Sequence, residues 1–155
     1  MKRSLFGLFL VWTVALSAPT AALAHCEIPC GIYNDEMRFE MIFEHIKTIE
    51  KSMKAINDLS LSDKGNTNQA VRWVSNKERH AEKIQEIATQ YFLAQRIKIP
   101  KGTKGMTDYV ESLKYIHQLV VFAMKAKQST DVKHVKALQE ATEAYRALYR
   151  KITGH

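Results

Sequence analysis

The sequence predicts an all-α protein with the fold of an up-and-down four-helix bundle. The chain has 155 residues, which gives room for one compact core. Only three prolines and six glycines interrupt it, and the apolar residues after position 35 recur at helical spacing. This pattern is not that of a β-sandwich or a doubly wound parallel sheet, so four amphipathic helices that bury one another's apolar faces are the predicted arrangement.

The first two helices are predicted from their apolar faces and from the signals at their ends. The first runs from about residue 35 to residue 57, with Asn34 as its N-cap and an apolar face made of Ile42, Ile46, Ile49, Met53 and Ile56. A polar loop over residues 60–66 leads to a longer second helix that ends near Lys98, before Pro100. Its predicted core positions are Val71, Val74, Ala81, Ile84, Ala88, Tyr91 and Phe92.

The last two helices follow a glycine-containing loop at residues 101–105. The third helix extends to about Lys127, with Tyr109, Leu113, Ile116, Val120 and Met124 on its apolar face. Ser129, Thr130 and Asp131 are predicted to cap the fourth helix. That helix presents the apolar residues Val132, Val135, Leu138, Tyr145, Leu148 and Ile152.

Residues 1–24 have the pattern of a secretory signal peptide. Lys2 and Arg3 precede an apolar run from Leu5 to Leu16, and the small residues Ala22 and Ala24 fit a signal-peptidase site. Cleavage there would make His25 the new N-terminus, and the signal peptide would direct the protein to the periplasm or the medium. The predicted organisation is therefore a removed signal peptide (1–24), a short N-terminal segment (25–33) and the bundle (34–155).

Two other interpretations of the leader are open. A permanent membrane anchor needs about 20 apolar residues to cross a bilayer, and the run from Leu5 to Leu16 is shorter. Lipidation of Cys26 would require a small residue before the cysteine, where this chain has His25. Signal cleavage after Ala24 fits the leader better than either.

Residues 25–33, with the sequence HCEIPCGIY, hold both cysteines of the chain. After cleavage His25 would offer a free α-amine as well as its imidazole, and Cys26 and Cys30 would offer two thiolates. With the amide nitrogen of Cys26 these groups make a compact set of two nitrogens and two sulfurs, which in a square plane suits Ni(II) or Cu(II), whereas Zn(II) prefers a tetrahedron. Pro29 and Gly31 supply the tight turns that such a short chelate needs.

The pattern H-C-x-x-P-C-G-x-Y at a mature N-terminus resembles the nickel hook of nickel-containing superoxide dismutases. The resemblance continues through Arg38-Phe39-Glu40, through residues 71–82 and through Tyr91-Phe92. It implies a superoxide dismutase with one nickel ion per subunit, which cycles between Ni(III) and Ni(II), and a homohexamer. Signal peptidase would carry out the maturation step.

The resemblance also implies roles for individual residues. His25 would supply the α-amine and an axial imidazole, Cys26 its amide nitrogen and thiolate, and Cys30 the second thiolate. Tyr33 matches the tyrosine beside the metal and Tyr91 a second tyrosine nearby, both placed in the catalytic site. Glu40 resembles the carboxylate that orients the axial imidazole.

The chain departs from the family pattern at two places. The segment between Tyr33 and Arg38 is one residue shorter than in the family. The arginine that supports the carboxylate at Glu40 would fall on His80, with Arg79 beside it. The basic partner of Glu40 is therefore left open between Arg79 and His80.

Two alternatives concern residues 25–33. Export to an oxidising compartment would favour a disulfide between Cys26 and Cys30, although a bridge closing so few residues near a terminus would stabilise little. The same segment could also serve an exported nickel or copper binding protein without turnover. Tyr33 favours the enzyme, because a carrier needs no residue that shapes the access of a small anion.

The remaining composition gives weaker indications. The formal net charge is +7, and removal of Lys2 and Arg3 leaves 21 basic residues against 16 acidic ones, a net charge of +5. The lysines are spread along the helices instead of forming a basic block, so a nucleic-acid partner is not predicted. The other histidines are interpreted as surface or packing residues, at positions His45, His80, His117, His134 and His155.

Overall fold

The computed structural model describes residues 35–60 and 66–154, and it confirms the all-α fold class. Helix α1 spans Glu36–Ser60. Helix α2 spans Thr67–Glu86 and continues directly into a π-helical segment, Ile87–Arg96. Helix α3 spans Met106–Gln128 and α4 spans Lys133–Thr153. The described residues contain no strand, and none of their helices is long and apolar enough to span a bilayer.

The four helices run up and down, with consecutive helices packed against each other and α1 also packed against α4. At one end of the bundle Asp35 contacts Arg96 at the end of the π-helical segment. Lys151 at the end of α4 lies 3.4 Å from Asp108 in the first turn of α3. This end is therefore where α1 begins, and it carries the chain that leads in from residues 25–34.

Three helix ends follow signals that are visible in the sequence. Asn66 caps α2, since its side-chain oxygen accepts a hydrogen bond from the Gln69 backbone at 3.2 Å. Asp131 accepts one from the Lys133 backbone at 3.0 Å, as expected of the polar residues before α4. At its other end α4 stops at Gly154, whose φ of +77° is a left-handed conformation that favours glycine. Asn34, the predicted cap of α1, lies outside the described residues.

The core is built from the predicted apolar faces. Most of the predicted positions are buried, and Phe39, Ile87, Leu119 and Tyr149 join them. At the end of the bundle where α1 begins, four rings pack together with centroid separations of 4.6–6.0 Å: Phe39, Phe92, Tyr145 and Tyr149. This aromatic cluster joins α1, the π-helical segment and α4.

Five predicted core positions are exposed instead, and the prediction was wrong for them: Val71, Val74, Met124, Val132 and Ile152. In α2 the buried residues are Lys77, Ala81 and Ile84. At 3.6 residues per turn Val71 lies about 120° around the helix from Lys77, which takes it off this face. Val132 precedes the first turn of α4 and Ile152 lies in its last turn, where there is less of the bundle to cover them.

Candidate metal centre and its anchor

The structure describes only part of the predicted site. The predicted metal ligands His25, Cys26 and Cys30 and the predicted catalytic residue Tyr33 lie outside the described residues, whereas Glu40 and Tyr91 lie within them. Residues 35–60 and 66–154 contain no group of three or more histidine, cysteine, aspartate or glutamate side chains that could hold a metal. The metal-binding role of residues 25–30 stays a prediction from the sequence.

Asp35, two residues after Tyr33, is the centre of a buried polar cluster. It is only 5% exposed. Its carboxylate accepts hydrogen bonds from the hydroxyls of Tyr91 and Tyr149 and from the Arg96 guanidinium, whose Nε lies 2.9 Å from Oδ2. We call Asp35, Tyr91, Arg96 and Tyr149 the Asp35 cluster. Because its members come from the start of α1, the π-helical segment and α4, it ties three elements together next to the predicted hook.

The electrostatics of the cluster favour an ionised carboxylate. Burial by itself would raise the pKa of Asp35, but hydrogen bonds from Tyr149, Tyr91 and Arg96 outweigh burial and lower this pKa below its ordinary value. Burial and the hydrogen bond to Asp35 raise the pKa of Tyr149 to about 12. The phenol therefore stays protonated as a donor. At neutral pH the cluster is an ionised Asp35 carboxylate that accepts hydrogen bonds from three side chains.

The π-helical segment explains how Tyr91 and Arg96 reach the same carboxylate. The two residues are five positions apart, and in an α-helix they would point about 140° away from each other. In this segment the backbone hydrogen bonds join residues five positions apart, as between the Ile97 amide and the Phe92 carbonyl at 3.0 Å. Residues one such turn apart share a face. The wider turn therefore brings both side chains to Asp35.

Tyr91 also makes a cation–π contact with Arg38 of α1. The Arg38 guanidinium carbon lies 4.5 Å from the centre of the Tyr91 ring, a geometry in which the positive charge is attracted to the ring face. Tyr91 is 1% exposed. Its ring is thus packed between charged groups, and its hydroxyl is bonded to Asp35.

Glu40 lies on the surface of α1 and pairs with α4. Its Oε1 accepts a hydrogen bond from Arg146 Nη2 at 2.7 Å, and its side chain is 62% exposed. Arg146 and Arg150 also pair with Glu36, one turn earlier on α1. The sequence left the basic partner of Glu40 open between Arg79 and His80. The structure places Arg146 there instead, a residue more than one hundred positions away along the chain.

His80 pairs with His45 across the contact between α1 and α2. Their Nδ1 atoms lie 3.0 Å apart and their rings meet edge to face. The Nε2 of His45 is buried and has no hydrogen-bond partner among the described residues. Burying Nε2 without a partner costs less when that nitrogen carries no proton. We therefore place the proton of His45 on Nδ1, which donates it to Nδ1 of His80. The interpretation as packing residues therefore holds for this pair, although the sequence did not predict that they meet.

Sequence reasoning missed Asp35, Arg96, Tyr149 and Arg146 as residues around the site. An aspartate at a helix start is usually a surface residue, and arginines on helix faces are usually solvated. Nothing in the apolar spacing distinguishes a π-helical turn from an α-helical one at this length. The available signal was Tyr149, which falls on the same face as Tyr145 and Leu138 and should have been assigned to the core.

These features define a class of protein: a helical bundle preceded by a short segment with one histidine and two cysteines, in which Asp35, two residues after that segment, is held inside the bundle. The sequence model of the nickel-containing superoxide dismutase family matches residues 20–152, a range that includes the segment 25–33. The match covers most of the chain, so the protein belongs to that family. No curated protein sequence and no solved structure matches it.

Family membership gives the general function. The protein is an oxidoreductase, a superoxide dismutase whose cofactor is nickel and whose substrate is superoxide. Turnover is therefore part of its function, and a carrier without turnover is not what the family describes.

Proposed function

We propose that the mature enzyme begins at His25 and holds one nickel ion per subunit with His25, Cys26 and Cys30. The observation that carries this proposal is the H-C-x-x-P-C-G-x-Y pattern directly after Ala22-Leu23-Ala24, inside the matched family range. Cleavage after Ala24 would create the α-amine at the residue that also carries the imidazole. Maturation and the metal site thus depend on the same peptide bond.

The donor set fits nickel. Two thiolates and a deprotonated amide would be anionic donors and the α-amine a neutral one, and a square-planar set of such nitrogen and sulfur donors would suit Ni(II). Bound nickel would supply one-electron chemistry, alternating between Ni(II) and Ni(III) as superoxide is oxidised to dioxygen in one half-reaction and reduced to hydrogen peroxide in the other, with two protons consumed per pair of superoxide ions. The thiolate and amidate donors would bring the potential of this couple into the range of superoxide.

The chain's other residues would prepare the site for a small anion. Tyr33 would limit access to the metal segment, Tyr91 would line it from the bundle, and Glu40 would orient the His25 imidazole through its free nitrogen. Arg146 supports this role of Glu40, because it fixes the carboxylate without burying it. The hydroxyl of Tyr91 is hydrogen-bonded to Asp35, so Tyr91 would act chiefly by holding Asp35, two residues after Tyr33.

We also propose that residues 1–24 are removed by signal peptidase and that the enzyme works outside the cytoplasm. A homohexamer would enclose the metal segments and shield their thiolates from oxidants. Val71, Val110 and Ile99 are 59%, 52% and 81% exposed in the single chain, which leaves apolar surface available for such contacts.

The test combines three measurements on the protein purified from its native host: the mass of the mature N-terminus, the nickel content and the rate of superoxide decay. We expect a chain that starts at His25, about one nickel per subunit and activity that is lost on nickel removal. A chain starting elsewhere, a lipidated Cys26 or a Cys26-Cys30 disulfide in the metal-free protein as isolated would contradict the proposal.

Variants separate the ligands from the rest of the chain. Cys26→Ser and Cys30→Ser should each abolish activity and stoichiometric nickel binding, because each removes one thiolate. His25→Asn should keep nickel through the α-amine while activity falls. His117→Gln is the matched control, since His117 is exposed on α3, and it should bind nickel and turn over like the parent.

A further inference from the structure

We propose that the Asp35 cluster positions residues 25–33, which we call the hook. By holding Asp35 inside the bundle, the cluster would fix the point at which the hook joins the bundle and the direction in which the hook leaves it. The inference rests on the proposed role of those residues in binding nickel. It assigns to Asp35, Arg96 and Tyr149 a part in the reaction that the family pattern does not.

The covalent distance makes such control effective. Cys30 lies five positions before Asp35, and a fully extended chain covers at most about 3.6 Å per residue. Covalent geometry alone therefore limits the distance between the Cα atoms of Cys30 and Asp35 to about 18 Å. A shift or rotation of Asp35 would be passed on to the sulfur and to Tyr33, which is only two residues away.

Asp35 is held at its backbone by α1 and at its side chain by the rest of the cluster. Its carbonyl accepts the first hydrogen bond of α1, from the Arg38 backbone at 3.0 Å, and its carboxylate is bonded from the π-helical segment and from α4. Arg96 Nε also donates to the Tyr149 hydroxyl at 3.1 Å, which locks two of the donors to each other. A surface aspartate at a helix start would have the backbone bond but not the hydrogen bonds to the carboxylate.

A short chelate needs this kind of support. Residues 25–33 are too few to form a core of their own, so the bundle must supply the fixed point for their geometry. A loose attachment would leave the metal segment to sample several orientations relative to Glu40 and to Tyr91. The expected consequence is a heterogeneous nickel site with lower turnover per bound nickel.

The experiment compares Asp35→Asn with the parent by two readouts. The first is the electron paramagnetic resonance signal and the activity per bound nickel of the loaded mature enzyme. The second needs no nickel: in Cys26→Ser chains carrying Lys136→Cys on α4, spin labels at positions 30 and 136 report the distribution of distances from the hook to the bundle. We expect Asp35→Asn to widen that distribution about two-fold, to split the nickel signal and to lower activity per nickel about ten-fold.

Glu36→Gln is the matched control. It removes one negative charge from the same helix turn, and Glu36 also pairs with arginines of α4, but it leaves the Asp35 cluster intact. It should match the parent in both readouts. If Asp35→Asn does not fold, Tyr149→Phe removes a single donor and should widen the distribution less.

The outcomes are distinct. Distance distributions that are equally narrow in the parent and in Asp35→Asn, or equally wide, would overturn the inference. The same holds if Glu36→Gln reproduces the effect. A parent that binds no nickel but shows a narrow distribution, widened by Asp35→Asn, would leave the anchor standing and refute the proposed metal site.

Discussion

Asp35 is a buried carboxylate, and burying a charge is tolerated only where donors replace its water. Tyr91, Tyr149 and Arg96 provide those donors. Because the pKa of Asp35 is lower folded than unfolded, its contribution to stability is fully present above the unfolded pKa of about 3.9. That contribution is lost as the pH falls through the folded pKa.

This linkage gives a prediction for acid unfolding. Asp35→Asn should lower the free energy of unfolding at pH 7 by about 1–3 kcal/mol, the range for a hydrogen-bonded buried charge. Between about pH 4 and pH 2 the gap between variant and parent should narrow, since the parent loses its ionised carboxylate there. Urea unfolding across pH checks this, with Glu36→Gln as control. A gap that stays constant down to pH 2 would contradict the assignment.

Arg146 offers a second test at the scale of one residue. Replacing it with glutamine removes the support of Glu40 but breaks only partly exposed ion pairs, so stability should change by less than about 1 kcal/mol. Activity per bound nickel should nevertheless fall several-fold if Glu40 orients the His25 imidazole. The control is Lys54→Gln, which breaks the exposed pair with Glu50. Unchanged turnover in Arg146→Gln would remove Glu40 from the site.

At the scale of elements, His45 and His80 make the contact between α1 and α2 sensitive to pH. Burial lowers the pKa of both histidines, and for His45 the facing His80 lowers it further; Arg79 and Lys83 act in the same direction and Glu44 opposes them. A histidine with a lowered folded pKa contributes stability above its unfolded pKa of about 6.5 and loses it as the pH falls below that value.

We therefore predict that Tm falls between pH 7.5 and pH 5.5, and that the double variant His45→Gln with His80→Gln has a flatter profile over this range. Scanning calorimetry checks the difference. His117→Gln, an exposed position on α3, should retain the slope of the parent. An equal slope in the double variant would show that the pair does not titrate in this window.

Lys77 is a buried lysine that joins α2 to the end of α3. It is 3% exposed, and its Nζ donates to the carbonyls of Lys127 and Ser129 at 2.7 and 2.8 Å. Carbonyls at a helix C-terminus lack partners within the helix. Lys77→Met keeps the apolar part of the side chain but leaves these two carbonyls without a hydrogen-bond donor. The free energy of unfolding should therefore fall by about 1–3 kcal/mol in urea titrations. The exposed control, Lys136→Met, should stay within about 0.5 kcal/mol of the parent.

The helices were predictable because burial repeats with their period. Ile42, Ile46 and Ile49 in α1, and Ile84 and Ala88 after the loop, lie where the spacing placed them. The π-helical turn at Ile87–Arg96 was not predictable, since its residues also satisfy a period of 3.6. Exposed Val71 shows the opposite limit: an apolar residue was included in the predicted face although the helix turns it away from the residues that are buried.

The sequence allowed a prediction of the site only where the chemical groups lie within one short segment. The ligands His25, Cys26 and Cys30 are read from one run of residues, and whether they bind nickel as predicted is still to be tested. Asp35, Arg96 and Tyr149 are separated by up to 114 positions, and only folding brings them together. No local spacing marks such a set, just as none indicated that Glu40 would pair with Arg146.

At the scale of the whole molecule, charge should govern how superoxide arrives. The mature chain would carry a net charge of +5, after loss of Lys2 and Arg3, and a positive protein raises its encounter rate with an anion. Salt screens this attraction, with a Debye length of about 30 Å at 0.01 M and about 8 Å at 0.15 M. The second-order rate constant should therefore fall several-fold between these ionic strengths when measured by pulse radiolysis.

A charge variant distinguishes the general field from a local effect. Lys101→Glu with Lys104→Glu changes the net charge by four units in the exposed loop between the π-helical segment and α3, without touching the Asp35 cluster. If the field of the whole molecule steers superoxide, this variant should be slower at low salt and should converge with the parent at high salt, because screening removes the difference between them. A rate that differs equally at both ionic strengths would mean that the substitutions disturbed the site itself, and a rate that never differs would mean that arrival of the anion does not depend on the net charge.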